Sequence, residues 1–223
     1  VSSKIYKNRP KNLIAVTGTN GKSSVSDFYY QILKFNYKKV ASIGTLGVRS
    51  ENVNFALSNT TIDPIHLGKI LNKLKKRLVD NVIMEASSHG LEQNRLDGLS
   101  FNSGIFTNFS QDHLDYHNNL RDYLKAKLYL FKNLIKKKGN IITDGRLPEF
   151  NKIKKISINC NLKLHKINDK NLFRILSHSY QGEKQIIKIK HKNSVQTIKI
   201  NLIGKIQLKN FWMAIIAAKN SNL

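Results

Sequence analysis

The stretch Thr17-Gly18-Thr19-Asn20-Gly21-Lys22-Ser23-Ser24 carries the residue types that hold a phosphate. Gly18 and Gly21 let the backbone bend so that successive N–H groups face one anion. A helix opening at Lys22-Ser23 adds the positive end of its dipole. The Lys22 ammonium can reach the terminal phosphates of a nucleotide, and the Ser23 hydroxyl can take a place on Mg²⁺. Val16 stands where the strict G-x-x-x-x-G-K-[ST] pattern has its first glycine. The nucleotide reading therefore rests on context: the apolar run Leu13-Ile14-Ala15-Val16 before the loop reads as a buried strand, and residues 23–35 after it read as a helix. An ordinary glycine turn is the competing reading and suits that context less well.

Three more constellations could do chemistry. In Met84-Glu85-Ala86-Ser87-Ser88-His89 a carboxylate closes a short apolar strand, at the sheet edge where α/β proteins gather ligands. Glu85 there could bind Mg²⁺, which prefers carboxylate and phosphate oxygen; in isolation it would read as a surface glutamate. The loop Gln111-Asp112-His113-Leu114-Asp115-Tyr116-His117 concentrates acids and histidines. It is either a metal or acid/base cluster, or a capping box in which Asp112 or Asp115 closes the next helix. Lys127, in Tyr123-Leu124-Lys125-Ala126-Lys127-Leu128-Tyr129-Leu130-Phe131, reads from the bare sequence as a solvent-facing helix lysine.

These motifs, in this order, resemble the Mur ligase family. Residues 17–24 resemble its T-G-T-N-G-K-[TS]-[TS] loop, and residues 84–91 with Arg95 its M-E-x-S-S-H-x-L…R segment. Residues 106–117 are similar to F-T-N-x-x-x-D-H-L-D-Y-H, residues 123–131 to Y-x-x-A-K-x-x-L-F, and residues 204–218 to G-x-F-[NQ]-x-x-N-x-x-A-A. The combination looks closest to the members that add the third amino acid to UDP-N-acetylmuramoyl-dipeptide in peptidoglycan synthesis.

The resemblance implies an ATP-dependent amide-bond ligase that works through an acyl phosphate, in the cytoplasm, with lysine or meso-diaminopimelate as the added amino acid. It implies nucleotide contacts from Gly18, Thr19, Asn20, Gly21, Lys22, Ser23 and Ser24, with Gln207 and Asn210 beside the adenine. Two Mg²⁺ sites are implied, the first at Ser23 and Glu85, the second at His113 and at Lys127 carried as a carbamate. Asn59, Thr60, Thr61, Ser87, Gln93 and Arg95 match contacts to the UDP-muramoyl-peptide, and Lys22, Lys127 and His113 are the implied catalytic set. Ile62 replaces a proline common after the Thr-Thr pair, and residues 144–201 align too poorly to carry any site across. The family has three domains, and residues 1–223 resemble the central ATP-binding one. The chain alone is thus expected to bind MgATP as a monomer and to ligate poorly. A related folylpolyglutamate- or cyanophycin-type ligase is the nearest rival.

The elements that must position these residues read as α/β. Strands are expected at residues 38–43, near 53–57, at 81–85, 105–108 and 141–143. Helices are expected from Pro64, with Ile65, Leu67, Ile70, Leu71, Leu74 and Leu78 at helical spacing, and over residues 120–137. This alternation predicts a mostly parallel sheet with helices on both faces. After Asp144 the texture changes: residues 153–159, 173–180, 184–190 and 195–201 alternate at period two and predict a smaller antiparallel meander. Residues 207–220 predict a final helix. The whole reads as one domain.

Composition narrows the classes. Hydrophobic residues make up 40% of the 223, enough for a core. No apolar run approaches the roughly 20 residues of a membrane helix. The single cysteine, Cys160, excludes an internal disulfide and reads as a small core residue. Residue 1 is Val, and no charged-then-apolar leader is visible. The net charge of +24, from 38 Lys+Arg against 14 Asp+Glu, raises nucleic-acid binding as a reading of a different class. The lysines are spread along the chain, however. Their clusters at residues 73–77 and 136–138 read as solvated ends of helices, so no nucleic-acid partner is expected.

Overall fold

The computed structural model describes residues 6, 8–112, 116–167, 174–182, 184–191, 194–202 and 204–221. Its centre is an eight-stranded sheet in the order β4-β3-β2-β5-β1-β6-β7-β8. In chain order the strands are β1 (Asn12–Thr17), β2 (Val40–Gly44), β3 (Gly47–Ser50), β4 (Val53–Phe55), β5 (Asn81–Glu85), β6 (Phe101–Phe106), β7 (Ile135–Thr143) and β8 (Lys163–Lys166). All neighbours from β2 to β8 pair in parallel, while β3 and β4 extend one edge as antiparallel hairpins. The helices are α1 (Lys22–Phe35), α2 (Pro64–Lys76), the short α3 (Ser88–Glu92), α4 (Leu120–Tyr129), α5 (Phe150–Asn159) and α6 (Gly204–Lys219). A separate three-stranded antiparallel sheet, β9 (Arg174–Gln181), β10 (Lys184–His191) and β11 (Ser194–Ile200), precedes α6.

Strands buried on both faces read as apolar runs, and β1 does from Leu13 to Val16: Leu13 and Ala15 join the core on one face, Ile14 and Val16 the core on the other. The first face is closed by Leu67, Leu71 and Leu74 of α2, Leu124 and Leu128 of α4, and Ile153 and Ile156 of α5. The second is closed by Val25, Tyr29 and Leu33 of α1, Trp212, Met213 and Ala217 of α6, and Ile187 and Ile189 of β10. The expected fold class is therefore the observed one.

Three expectations need correction. The helix foreseen over residues 120–137 stops at Tyr129, passes through a π-helical turn at Leu130–Leu134, and gives way to β7 at Ile135. That turn buries Leu130, Phe131 and Leu134, and Gly104 of β6 leaves the space that the Phe131 ring occupies. Lys136, Lys137 and Lys138 then bulge out of the strand, where the pairing jumps from Phe101↔Ile135 to Ser103↔Asn140. Residues 153–159 form not a strand but α5: Ile153 and Ile156, three apart, face the core, while Ile158 is 69% exposed. Cys160 ends that helix only partly buried, packed against the rim of the core rather than inside it.

Candidate active site

Parallel pairing brings the C-terminal ends of β1, β5 and β6 side by side, and with them the loops that follow. The loop after β1 needs its glycines. Gly18 has φ +144°, and a Cβ there would lie 1.9 Å from Thr107 Oγ1. Gly21, at φ +86°, caps α1 without a side-chain hydrogen bond, and the Asn210 amide of α6 sits so close that a Cβ would meet its Oδ1 at 2.8 Å. The first-turn N–H groups of α1 have no intrahelical acceptor, which leaves an anion-seeking helix end at Lys22, Ser23 and Ser24.

The segment after β6 supports this loop. Asn108 accepts from the Thr19 N–H through its carbonyl at 3.0 Å and from the Asn20 N–H through its side-chain oxygen at 2.9 Å. The Thr107 hydroxyl donates to the Asn20 carbonyl at 2.6 Å, and the Thr19 hydroxyl donates to the Ser110 carbonyl at 3.2 Å. Asp122 N–H bonds to Asn119, so Asn119 caps α4 rather than Asp112. Asp115, the other capping candidate, lies outside the described residues, as does His113.

Two lysines converge on the same carbonyl. Lys22 Nζ donates to the carbonyls of Gly18 at 3.1 Å and Thr19 at 2.9 Å. Lys127 Nζ donates to Gly18 at 2.8 Å and stands 4.2 Å from the centroid of the Tyr123 ring. Lys127 is 1% exposed, so the solvent-facing reading of its helix position is wrong. Burial lowers the pKa of Lys22, while Glu85 and Asp112 pull it back up. Burial, and then the neighbouring Lys22 charge, bring Lys127 down to about 7, against a weaker upward pull from Asp112. Such an amine is neutral in a large fraction of molecules at neutral pH, where an ordinary lysine would be neutral in roughly one of several thousand.

Glu85 is buried at the end of β5. The Thr45 N–H donates to its Oε1 at 3.1 Å and the Thr45 hydroxyl to its Oε2 at 3.2 Å. Gly44 is required beside it, because a Cβ there would stand 2.3 Å from Oε1. Glu85 shares a small cleft with Ser23, and among the described residues it makes no ion pair. A buried carboxylate beside a hydroxyl, without a protein cation in contact, is a donor set that fits Mg²⁺. No cluster of three or more His, Cys, Asp or Glu occurs among the described residues.

The expected substrate residues gather one loop away. The Thr61 hydroxyl donates to the Glu85 carbonyl at 3.0 Å and accepts from the Ser87 N–H at 3.0 Å and the Ser87 hydroxyl at 3.1 Å. Arg95 donates to the Thr61 carbonyl at 2.6 Å and to Gln93 at 2.8 Å. Thr60 bonds to Thr45 through their hydroxyls at 3.0 Å, whereas Asn59 is exposed and meets only Ser58, at 3.4 Å, among the described residues. Gln207, one turn before Asn210 on α6, accepts a long bond from it at 3.4 Å.

Thr45, Thr107, Asn108, Tyr123 and Asp144 were given no role in the sequence, yet all support the site. Thr107, Asn108 and Tyr123 do fall on matched letters of the family motifs, and Tyr123 lies four residues before Lys127 on one helix face. Asp144, buried at the end of β7, accepts from Arg146 at 3.0 Å and from Lys209 of α6 at 3.0 Å.

The Mur ligase middle domain model matches residues 16–218. Among curated relatives, the UDP-N-acetylmuramoyl-L-alanyl-D-glutamate–2,6-diaminopimelate ligase of Rickettsia montanensis is 38% identical over 216 residues, 95% of this chain and 45% of that protein. The ligase of the same name from Rickettsia bellii is 47% identical over 153 residues, 67% of this chain and 32% of that protein. The chain thus spans less than half the length of these relatives. A solved ligase of that name superposes with a TM-score of 0.85 at 27% identity, covering 99% of this chain and 45% of that one. An apo folylpolyglutamate synthase from L. casei reaches 0.75 at 14% identity over 98% of this chain and 60% of that one, a likeness of fold alone. With loop, carboxylate and lysine assembled on one sheet edge and the family model matching nearly end to end, this chain belongs to the Mur ligase family, of which it contains the middle domain.

Proposed function

We propose that this chain is the ATP-binding domain of a ligase that joins meso-diaminopimelate to UDP-N-acetylmuramoyl-dipeptide in the cytoplasm. The observation that carries the proposal is Lys127: a buried amine, pKa about 7, held 2.8 Å from the phosphate loop carbonyl of Gly18. Unmodified, it would repel a metal ion. Its neutral form can attack CO₂, forming an N–C bond while one C=O π bond becomes a carboxylate lone pair and a proton leaves. The product is an anion where a cation stood.

In the reaction, the substrate carboxylate attacks the γ-phosphorus of ATP, the bond to ADP breaks, and an acyl phosphate results. The diaminopimelate amine then displaces phosphate and loses a proton. Ser23 and Glu85 would hold one Mg²⁺, His113 and the Lys127 carbamate a second, and bound magnesium would supply neutralisation of the charge that builds between two anions. Lys22 adds a cation at the same place once it releases the Gly18 and Thr19 carbonyls. The free N–H groups of the first turn of α1 orient the phosphates. Thr61, Ser87 and Arg95 form a polar shelf suited to phosphate and carboxylate oxygens of the muramoyl-peptide. Diaminopimelate is favoured over lysine by the names of the relatives.

Calorimetry should find saturable MgATP binding by the 223-residue chain, weakened at least about tenfold in Lys22→Ala. Under ¹³CO₂, a carbamate resonance should appear in the parent and vanish in Lys127→Ala. Absence of both signals would overturn the proposal. In a protein of the relatives' length carrying this domain, diaminopimelate should be ligated in preference to lysine. A preference for folate-type acceptors would move the assignment to the folylpolyglutamate ligases.

A further inference from the structure

Resting on the reading just given, we propose that Tyr123 is a positioning residue: its ring fixes the Lys127 nitrogen at the loop, and its hydroxyl ties that same ring to Thr19. Tyr123 is fully buried, one helical turn before Lys127 on α4. Lys127 Nζ lies 4.2 Å from the ring centroid and 2.8 Å from the Gly18 carbonyl, so it is held between a π face and a backbone acceptor. The Tyr123 hydroxyl donates to Thr19 Oγ1 at 3.3 Å, in the loop residue next to Gly18. Phe109 packs on the ring at 5.2 Å and His117 at 4.9 Å between centroids, which crowds it in place. One side chain therefore touches the amine to be modified and the loop that receives phosphate.

The arrangement has a chemical use. A four-carbon lysine stem has many rotamers, and a nucleophilic nitrogen must be stationary to react and then to present its new oxygens. The negative ring face attracts the unmodified cation and repels a carbamate anion. Once carbamylated, Lys127 would keep its oxygens off the ring and on the side of the loop. The hydroxyl bond makes Thr19 follow the ring, so the lysine and the phosphate loop hold one relative placement.

The test uses this chain with Tyr123→Phe and Tyr123→Leu, reading the ¹³C carbamate resonance at fixed CO₂ and the calorimetric affinity for MgATP, with thermal midpoints alongside. Tyr123→Phe should keep the carbamate at parental intensity and bind MgATP about three- to tenfold more weakly, the size of one neutral hydrogen bond. Tyr123→Leu should lose most of the carbamate signal while still binding nucleotide. Carbamate at parental level in folded Tyr123→Leu would overturn the proposal, as would a loss of carbamate in Tyr123→Phe equal to that in Tyr123→Leu. Should Tyr123→Leu not fold, the cycle with Thr19→Val decides: the Tyr123→Phe and Thr19→Val losses in affinity must be non-additive, and additive losses overturn it. A parent without any carbamate would instead sink the ligase reading itself.

Discussion

A buried lysine and a crowded glycine set the terms at the residue scale. Lysine is almost never fully buried unless something compensates, and here a carbonyl and an aromatic face do so only in part. Replacing Lys127 with Met keeps the volume and removes the desolvated charge. In CO₂-free, nucleotide-free buffer this variant should unfold at or above the parental midpoint, by up to about 1–3 kcal/mol, while losing the carbamate. A melt well below the parent would show that the amine is a net stabiliser of the fold. Gly18→Ala should act oppositely. With its Cβ 1.9 Å from Thr107 Oγ1 and a φ that L-residues rarely adopt, it should cost about 2–4 kcal/mol, read by urea denaturation.

At the scale of elements, α6 matters through one tether. It carries Asn210 over Gly21, and its Lys209 is bonded to Asp144 at the end of β7. Burial alone would raise the Asp144 pKa, but hydrogen bonds from Arg146 and Lys209 outweigh it and hold the carboxyl below its ordinary range. A depressed carboxyl pKa adds stability that is present above the unfolded value, near 4, and is lost as pH falls through the folded value. Asp144→Asn should therefore flatten the stability profile below about pH 4. At neutral pH it should cost about 1–2 kcal/mol, since both cations are partly exposed, and weaken MgATP binding severalfold. Unchanged denaturation at both pH values would mean that α6 is held by its apolar face alone. The helices themselves were legible where an apolar stripe and a cap coincided, as at Asp63-Pro64 of α2, whose Asp63 side chain accepts from the N–H groups of Ile65 and His66. α5 was not, because its isoleucines satisfy a period of two as readily as a spacing of three, and only the core decided between them. β3 escaped notice because Gly47-Val48-Arg49-Ser50 is short and half polar, and gains its identity from pairing with β2.

For the whole molecule, the charge of +24 and the parallel sheet answer different questions. The charge should give weak, sequence-independent retention on DNA at low salt that disappears by about 0.2 M and is the same in Lys22→Ala. Retention that persists at that salt with a sequence preference would revive the nucleic-acid reading. No helix among the described residues is long and apolar enough to cross a membrane. The antiparallel sheet β9–β11 lends Ile187 and Ile189 to the core face shared by α1 and α6. It thereby helps hold the helix that overlies the phosphate loop, a role that its low resemblance to known motifs concealed.

Local sequence determined what depends on neighbours along the chain: glycines that permit the loop, apolar runs long enough for two-faced strands, and the order of the motifs. Only the tertiary structure decided what depends on distance between remote segments. It placed residue 127 in the interior rather than in water, set Asn210 on Gly21, and gave Thr45 to Glu85. The reason is that a helix position is exposed or buried according to what packs against it. For Lys127 that partner is the phosphate loop itself, 109 residues earlier in the chain.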